Sequence, residues 1–118
     1  MGSGADCLSD SEDICREGKY VVVSMNYRLA CFGFLRLIDL TDGKIPSTGN
    51  EALLDQIEAL KWIQANISSF GGDSKNITLI GQSAGGHSIG TLLAMPDAKG
   101  LFHKAIVCDG GSETIQPK

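Results

Sequence analysis

Ile77-Thr78-Leu79-Ile80-Gly81-Gln82-Ser83-Ala84-Gly85 is the stretch that decides the fold. Four strand formers run straight into Gly-x-Ser-x-Gly, and a segment of helical periodicity follows. Between a strand and a helix this pattern is a nucleophile elbow: the chain reverses so sharply that the serine is held in a strained backbone conformation. Side chains at the flanking positions would clash, so glycine is expected two residues before Ser83, at Gly81, and two after, at Gly85. The turn lifts the Ser83 hydroxyl clear of the sheet. It also leaves the Ala84 N–H free to donate to an oxyanion.

In a chain with 15 Gly among 118 residues the five letters alone are weak evidence, so the strand and helix around them carry the reading. A Gly-rich surface turn does not need four strand formers before it. A phosphate-cradling loop would need a Gly-Lys-Ser/Thr ending or Gly-x-Gly-x-x-Gly, and this stretch has neither.

Working outward, the helix after the elbow is expected to run to about Ala94, where Met95-Pro96 closes it. Lys104–Cys108 reads as a strand ended by Asp109-Gly110-Gly111. Upstream, Leu53, Leu54, Ile57, Leu60, Ile63 and Ile67 recur at helical spacing, which predicts a helix over Glu51–Ser68 with Trp62 in the core. Asn50 is the expected N-cap and Phe70-Gly71-Gly72-Asp73 the glycine stop. Tyr20–Tyr27 is β-branched and continuous, as suits a strand buried on both faces. Residues 28–49 lack clear periodicity, with Phe32, Phe34, Leu35, Leu37 and Ile38 expected to pack inward. Residues 1–18 read as a polar loop with a short helix around Ser11–Glu17, and residues 112–118 as a polar tail. Alternating strands and helices predict an α/β protein with a parallel sheet. Ligands in such sheets bind beyond the carboxyl ends of the strands, where Ser83 and Asp109 both fall.

The length of 118 residues fits a single domain spanning 1–118. Hydrophobic residues at 42% exclude a disordered chain, and a net charge of −4 gives no basic face for nucleic acid. No apolar run approaches the roughly 20 residues that cross a bilayer. The N-terminus has no basic stretch followed by an apolar one, so a signal peptide is not expected and the chain reads as cytoplasmic. The spacing of Cys7, Cys15, Cys31 and Cys108 matches no zinc pattern, and no metal or other cofactor is expected. Free thiols are expected over a Cys7–Cys15 bridge, with Cys108 in the core. The sequons at Asn66 and Asn76 read as coincidence.

Taken together, these residues resemble the type-B carboxylesterases, the carboxylesterase and cholinesterase group of the α/β-hydrolase fold. The matching segments include Val21–Leu29, Phe32–Leu35, Gly49-Asn50, Leu53–Gln56, Ala59–Ile63, Phe70–Asp73, Asn76–Thr78, Gly81–Gly86 and Gly100–Ile106. Order and spacing fit over nearly all of residues 2–111. The resemblance implies a partial α/β-hydrolase core, with a short, mainly parallel sheet of about three strands flanked by helices. It implies a serine esterase acting on small-molecule esters of short chain, with Ser83 attacking the acyl carbon and Ala84 supplying one oxyanion donor.

Two residues depart from the family's pattern: Gln82 stands where Glu is more usual, and Asp109 where Ser is usual. The family's His-Gly-Gly-Gly oxyanion loop, its strand, and its catalytic Glu and His all fall outside residues 1–118. Within the chain, His87 is the candidate base and Asp109 the candidate acid. A helix-surface role for His87 and loop capping by Asp109 are the plainer readings. His103 is placed at the far end of the sheet, and Arg28 and Asp55 are read as ion-pairing scaffold. The absent central strand leaves exposed edges, from which a homo-oligomer is expected. The alternative to an esterase is a catalytically incomplete fragment that folds by association or acts as a binding module.

Overall fold

The computed structural model describes residues 8–110. The order is α1 (Leu8–Arg16), α2 (Ala30–Phe34), α3 (Glu51–Asn66), β1 (Thr78–Gln82), α4 (Ala84–Ala94) and β2 (Lys104–Cys108), with single 3-10 turns at Ile67–Phe70 and Pro96–Ala98. β1 and β2 are parallel neighbours, in register from Thr78 opposite Lys104 to Gln82 opposite Cys108. The elements β1, α4 and β2 stand where the sequence places them.

The core lies between α3, α4 and one face of the sheet. Ile57, Leu60, Ile63 and Ile67 from the α3 stripe meet Leu92 of α4 and Ala98, with Met25, Ile77, Leu79, Met95, Leu101 and Phe102 packed around them. The apolar spacing of α3 therefore has its expected consequence, burial of one helix face. Its start differs from expectation. Asn50 makes no side-chain cap. Instead Glu51 reaches back and accepts from the N–H groups of Thr48 (2.6 Å) and Gly49 (3.0 Å) and from the Thr48 hydroxyl (3.0 Å). These bonds to the carboxylate, that of the Thr48 N–H above all, lower the Glu51 pKa to about 2. The glycine stop is as expected: Gly71 takes φ 82°, and Gly72 N–H reaches Ile67 O at 3.0 Å.

Several expectations fail. Among the described residues the sheet has two strands rather than about three, because Tyr20–Leu29 forms no ladder with β1 or β2. An extended segment becomes a strand only when a neighbour takes its N–H and C=O groups. Here the segment runs past α3, held by Arg28, whose backbone N–H, Nε and Nη2 donate to the Asp55 carboxylate at 3.0, 2.8 and 2.7 Å. The scaffold ion pair read from the sequence is thus present, and it keeps Asp55 below its ordinary pKa. Val21 and Val23 are exposed rather than buried on both faces. Phe32, Phe34 and Leu35 are exposed too, with Phe32 at 77%, although Leu37 and Ile38 are half-buried.

Trp62, expected in the core, is 53% exposed and lies against Phe70, ring centroids 6.2 Å apart. It shares a shallow cavity with Val21, Val22, Val23, Ser24 and Ile67. Cys108 is exposed because, among the described residues, no element covers that part of β2. At the N-terminal side, α1 matches the short helix expected around Ser11–Glu17 and begins three residues earlier, at Leu8. Met1–Cys7 and the tail 112–118 lie outside the described residues, so Cys7 and the polar tail do too.

Candidate functional site

At the carboxyl end of β1 the chain turns through Ser83 with φ 51° and ψ −115°, then enters α4 at Ala84. Left-handed φ at a non-glycine residue costs free energy and marks a position that its surroundings hold in place. The hold is visible. Ser83 N–H donates to Cys108 O at 3.1 Å, continuing the β1–β2 ladder one residue past the strands. Ser83 O accepts from His87 N–H at 3.0 Å, closing the first turn of α4. The Ser83 side chain does not cap the helix, and Ser83 is exposed.

Ala84 is the first helical residue, so its N–H has no acceptor inside α4. Among the described residues no other backbone acceptor takes it. An exposed hydroxyl therefore stands beside an unengaged N–H at a helix N-terminus, where negative charge is favoured.

The two elbow glycines differ. A Cβ at Gly81 would lie 2.6 Å from both the carbonyl carbon and oxygen of Gly85 and 2.8 Å from Ile89 Cδ1. A Cβ at Gly85 would meet nothing within 4 Å. The sequence reading asked for glycine at both positions on steric grounds, and the structure supplies the clash only at Gly81. Two glycines to which the sequence reading gave no packing role prove as demanding. A Cβ at Gly86 would lie 2.7 Å from Asp109 O and 2.9 Å from Gly110 O. One at Gly110, where φ is 99°, would strike Ser83 O. The available signal was Gly86 inside a helix, where glycine costs about 1 kcal/mol relative to alanine and so points to close approach.

Asp109 follows β2 with φ 59°, one residue beyond the Gln82–Cys108 pair, and is exposed. The register brings it opposite Ser83. His87 lies one turn into α4 on the same end of the sheet, and is exposed. His103 lies at the opposite end, as expected. Its Nδ1 accepts from Ile77 N–H at 3.2 Å and its backbone N–H donates to Ile77 O at 2.9 Å. The topology thus gathers Gly81, Ser83, Ala84, Gly85, His87 and Asp109 at one end and leaves His103 at the other. No group of His, Cys, Asp and Glu among the described residues could hold a metal ion. No helix among them is long and apolar enough to cross a membrane.

The model of the carboxylesterase family matches residues 1–115. Para-nitrobenzyl esterase of Bacillus subtilis (strain 168) is 50% identical over 115 residues, which are 98% of this chain and 23% of that protein. Acetylcholinesterase of Electrophorus electricus is 44% identical over 109 residues, covering 92% of this chain and 17% of the relative. Among solved structures, the Geobacillus stearothermophilus carboxylesterase EST55 at pH 6.2 superposes with a TM-score of 0.88 at 43% identity, over 96% of this chain and 24% of that one. The chain spans about a quarter or less of the length of these proteins.

Proposed function

The chain belongs to the carboxylesterase family, and from that premise we propose that it hydrolyses carboxylic esters of short chain through an acyl-enzyme on Ser83. The observation that carries the reading is the elbow itself: an exposed serine at φ 51° between β1 and α4, next to an unengaged Ala84 N–H. Ser83 Oγ adds to the ester carbonyl carbon and its proton passes to a base. The carbonyl oxygen gains the charge, and Ala84 N–H donates to it, a contribution of about 3–4 kcal/mol to the transition state. The C–O bond to the alcohol then breaks, with the proton delivered to the leaving oxygen. Water repeats the sequence on the acyl-enzyme and frees the acid.

Within residues 8–110 we assign the base to His87 and the orienting acid to Asp109. Both stand at the carboxyl end of the sheet, whereas His103 is a strand's length away. The open position of Ser83 suits a small-molecule ester. Turnover of p-nitrophenyl acetate by the purified chain tests the reading. Ser83→Ala should fall to the buffer rate, and equal rates for the two proteins would refute it. His87→Gln should cost roughly 10²–10⁴-fold if it is the general base. A near-normal rate in that variant would remove His87 from the assignment while leaving Ser83 in place.

We also propose that the chain associates with itself. Among the described residues β1 has a neighbour on one side only, and Ile80 on its outer face is 68% exposed. An unpaired parallel edge with apolar side chains is a template for further pairing.

A further inference from the structure

Among the described residues Gln56 is the one buried polar side chain, only 5% exposed on the face of α3 that turns toward α4. A buried amide is costly unless its hydrogen bonds are made. Its Nε2 donates to Ser88 Oγ at 3.4 Å, and Ser88 Oγ in turn donates to Ala84 O at 3.0 Å. The chain of donors thus runs from the middle of α3, across the α3–α4 interface, into the first turn of α4. It ends on the residue that follows Ser83.

We propose that Gln56 and Ser88 are positioning residues for the elbow. They tie the Ala84 carbonyl to α3 and so hold the first turn of α4, and with it Ser83 and the Ala84 N–H, against relaxation of the strained turn. This inference rests on the proposed role of Ser83 for its catalytic meaning, but the brace itself is a statement about structure. A serine hydroxyl bonded to the carbonyl four residues back is an ordinary helical arrangement. Here a buried partner donates to that hydroxyl, and a donor that is itself an acceptor is polarised and strengthened. Ser83 needs such support, since left-handed φ at a non-glycine residue persists only where its surroundings over-determine it.

The test is amide hydrogen exchange by NMR on the full chain, read at His87, whose N–H bonds to Ser83 O at 3.0 Å. Ser88→Ala should speed exchange at His87 roughly three- to tenfold, the loss of one hydrogen bond. Ser88→Thr, which keeps a hydroxyl, should restore it. The sign discriminates, because alanine is the better helix former and a purely local effect would slow exchange. Gln56→Met combined with Ser88→Ala should add nothing beyond Ser88→Ala, since one chain of bonds is lost once. For p-nitrophenyl acetate, Ser88→Ala should lower kcat by a similar factor with KM unchanged. Unchanged or slower exchange at His87 in Ser88→Ala overturns the inference, whatever the turnover. A wild-type chain without Ser83-dependent turnover counts against the proposed function, while faster His87 exchange in Ser88→Ala still supports the brace.

Discussion

At the scale of single residues, the elbow depends on absences of side chain that are not equivalent. Gly81 leaves room for the Gly85 carbonyl, whereas Gly85 itself faces open space. Gly81→Ala must therefore push β1 away from α4, at a cost of roughly 1–3 kcal/mol, the usual range for overpacking. Gly85→Ala has no such conflict and replaces a helical glycine, so stability should hold or rise by up to about 1 kcal/mol. Urea denaturation of the two variants separates them, and equal losses would refute the asymmetry. The pattern Gly-x-Ser-x-Gly is legible in the letters, but which glycine is sterically required is not. That depends on the direction in which each absent Cβ would point once the turn is formed.

Among the elements, α3 shows how a charge can replace an expected cap. Asn50 has the composition of an N-cap and does not serve as one. Glu51 instead fastens the turn before α3 through Thr48 and Gly49, and its pKa is lowered from 4.5 to about 2 as a result. A carboxylate with a depressed folded-state pKa stabilises fully above its unfolded pKa, and the contribution is lost as pH falls through the folded value. Glu51→Gln should therefore be less stable than wild type at pH 7. The gap should narrow below about pH 4.5 and close near pH 2. Thermal melts of both proteins across that window check it, and a gap independent of pH would mean that Glu51 acts by packing alone. The neighbouring segment Tyr20–Leu29 teaches the converse lesson. Its β-branched run has every local mark of a buried strand, yet a strand is a property of a pair, and neither β1 nor β2 is its partner.

Over the whole molecule, one small core lies between α3, α4 and one sheet face, and much apolar surface remains outside it. Leu60 is fully buried in that core, whereas Leu54 on the same helix is 41% exposed. Leu60→Ala should cost about 2–5 kcal/mol, and Leu54→Ala far less, as read from urea midpoints. Comparable losses would mean that Leu54 is covered in solution, as the proposed self-association would allow. Sedimentation over a range of concentration measures that association directly, and Ile80→Lys on the outer face of β1 should weaken it. A monomer at every concentration would dismiss it.

By itself the sequence determined the local elements and their order: the periodicity of α3, the glycine stop, the strand–elbow–helix around Ser83 and the strand that follows. Those features are written in spacing and in backbone preference, which act over a few residues. Only the tertiary structure decided which apolar residues are covered, for Trp62, Phe32 and Cys108 are as hydrophobic on paper as Leu60. It alone brought Gln56 within reach of Ser88, and set Asp109 and Gly110 against the turn at Ser83. Burial and contact of that kind depend on which surfaces the packed elements present to one another, and no single segment encodes them.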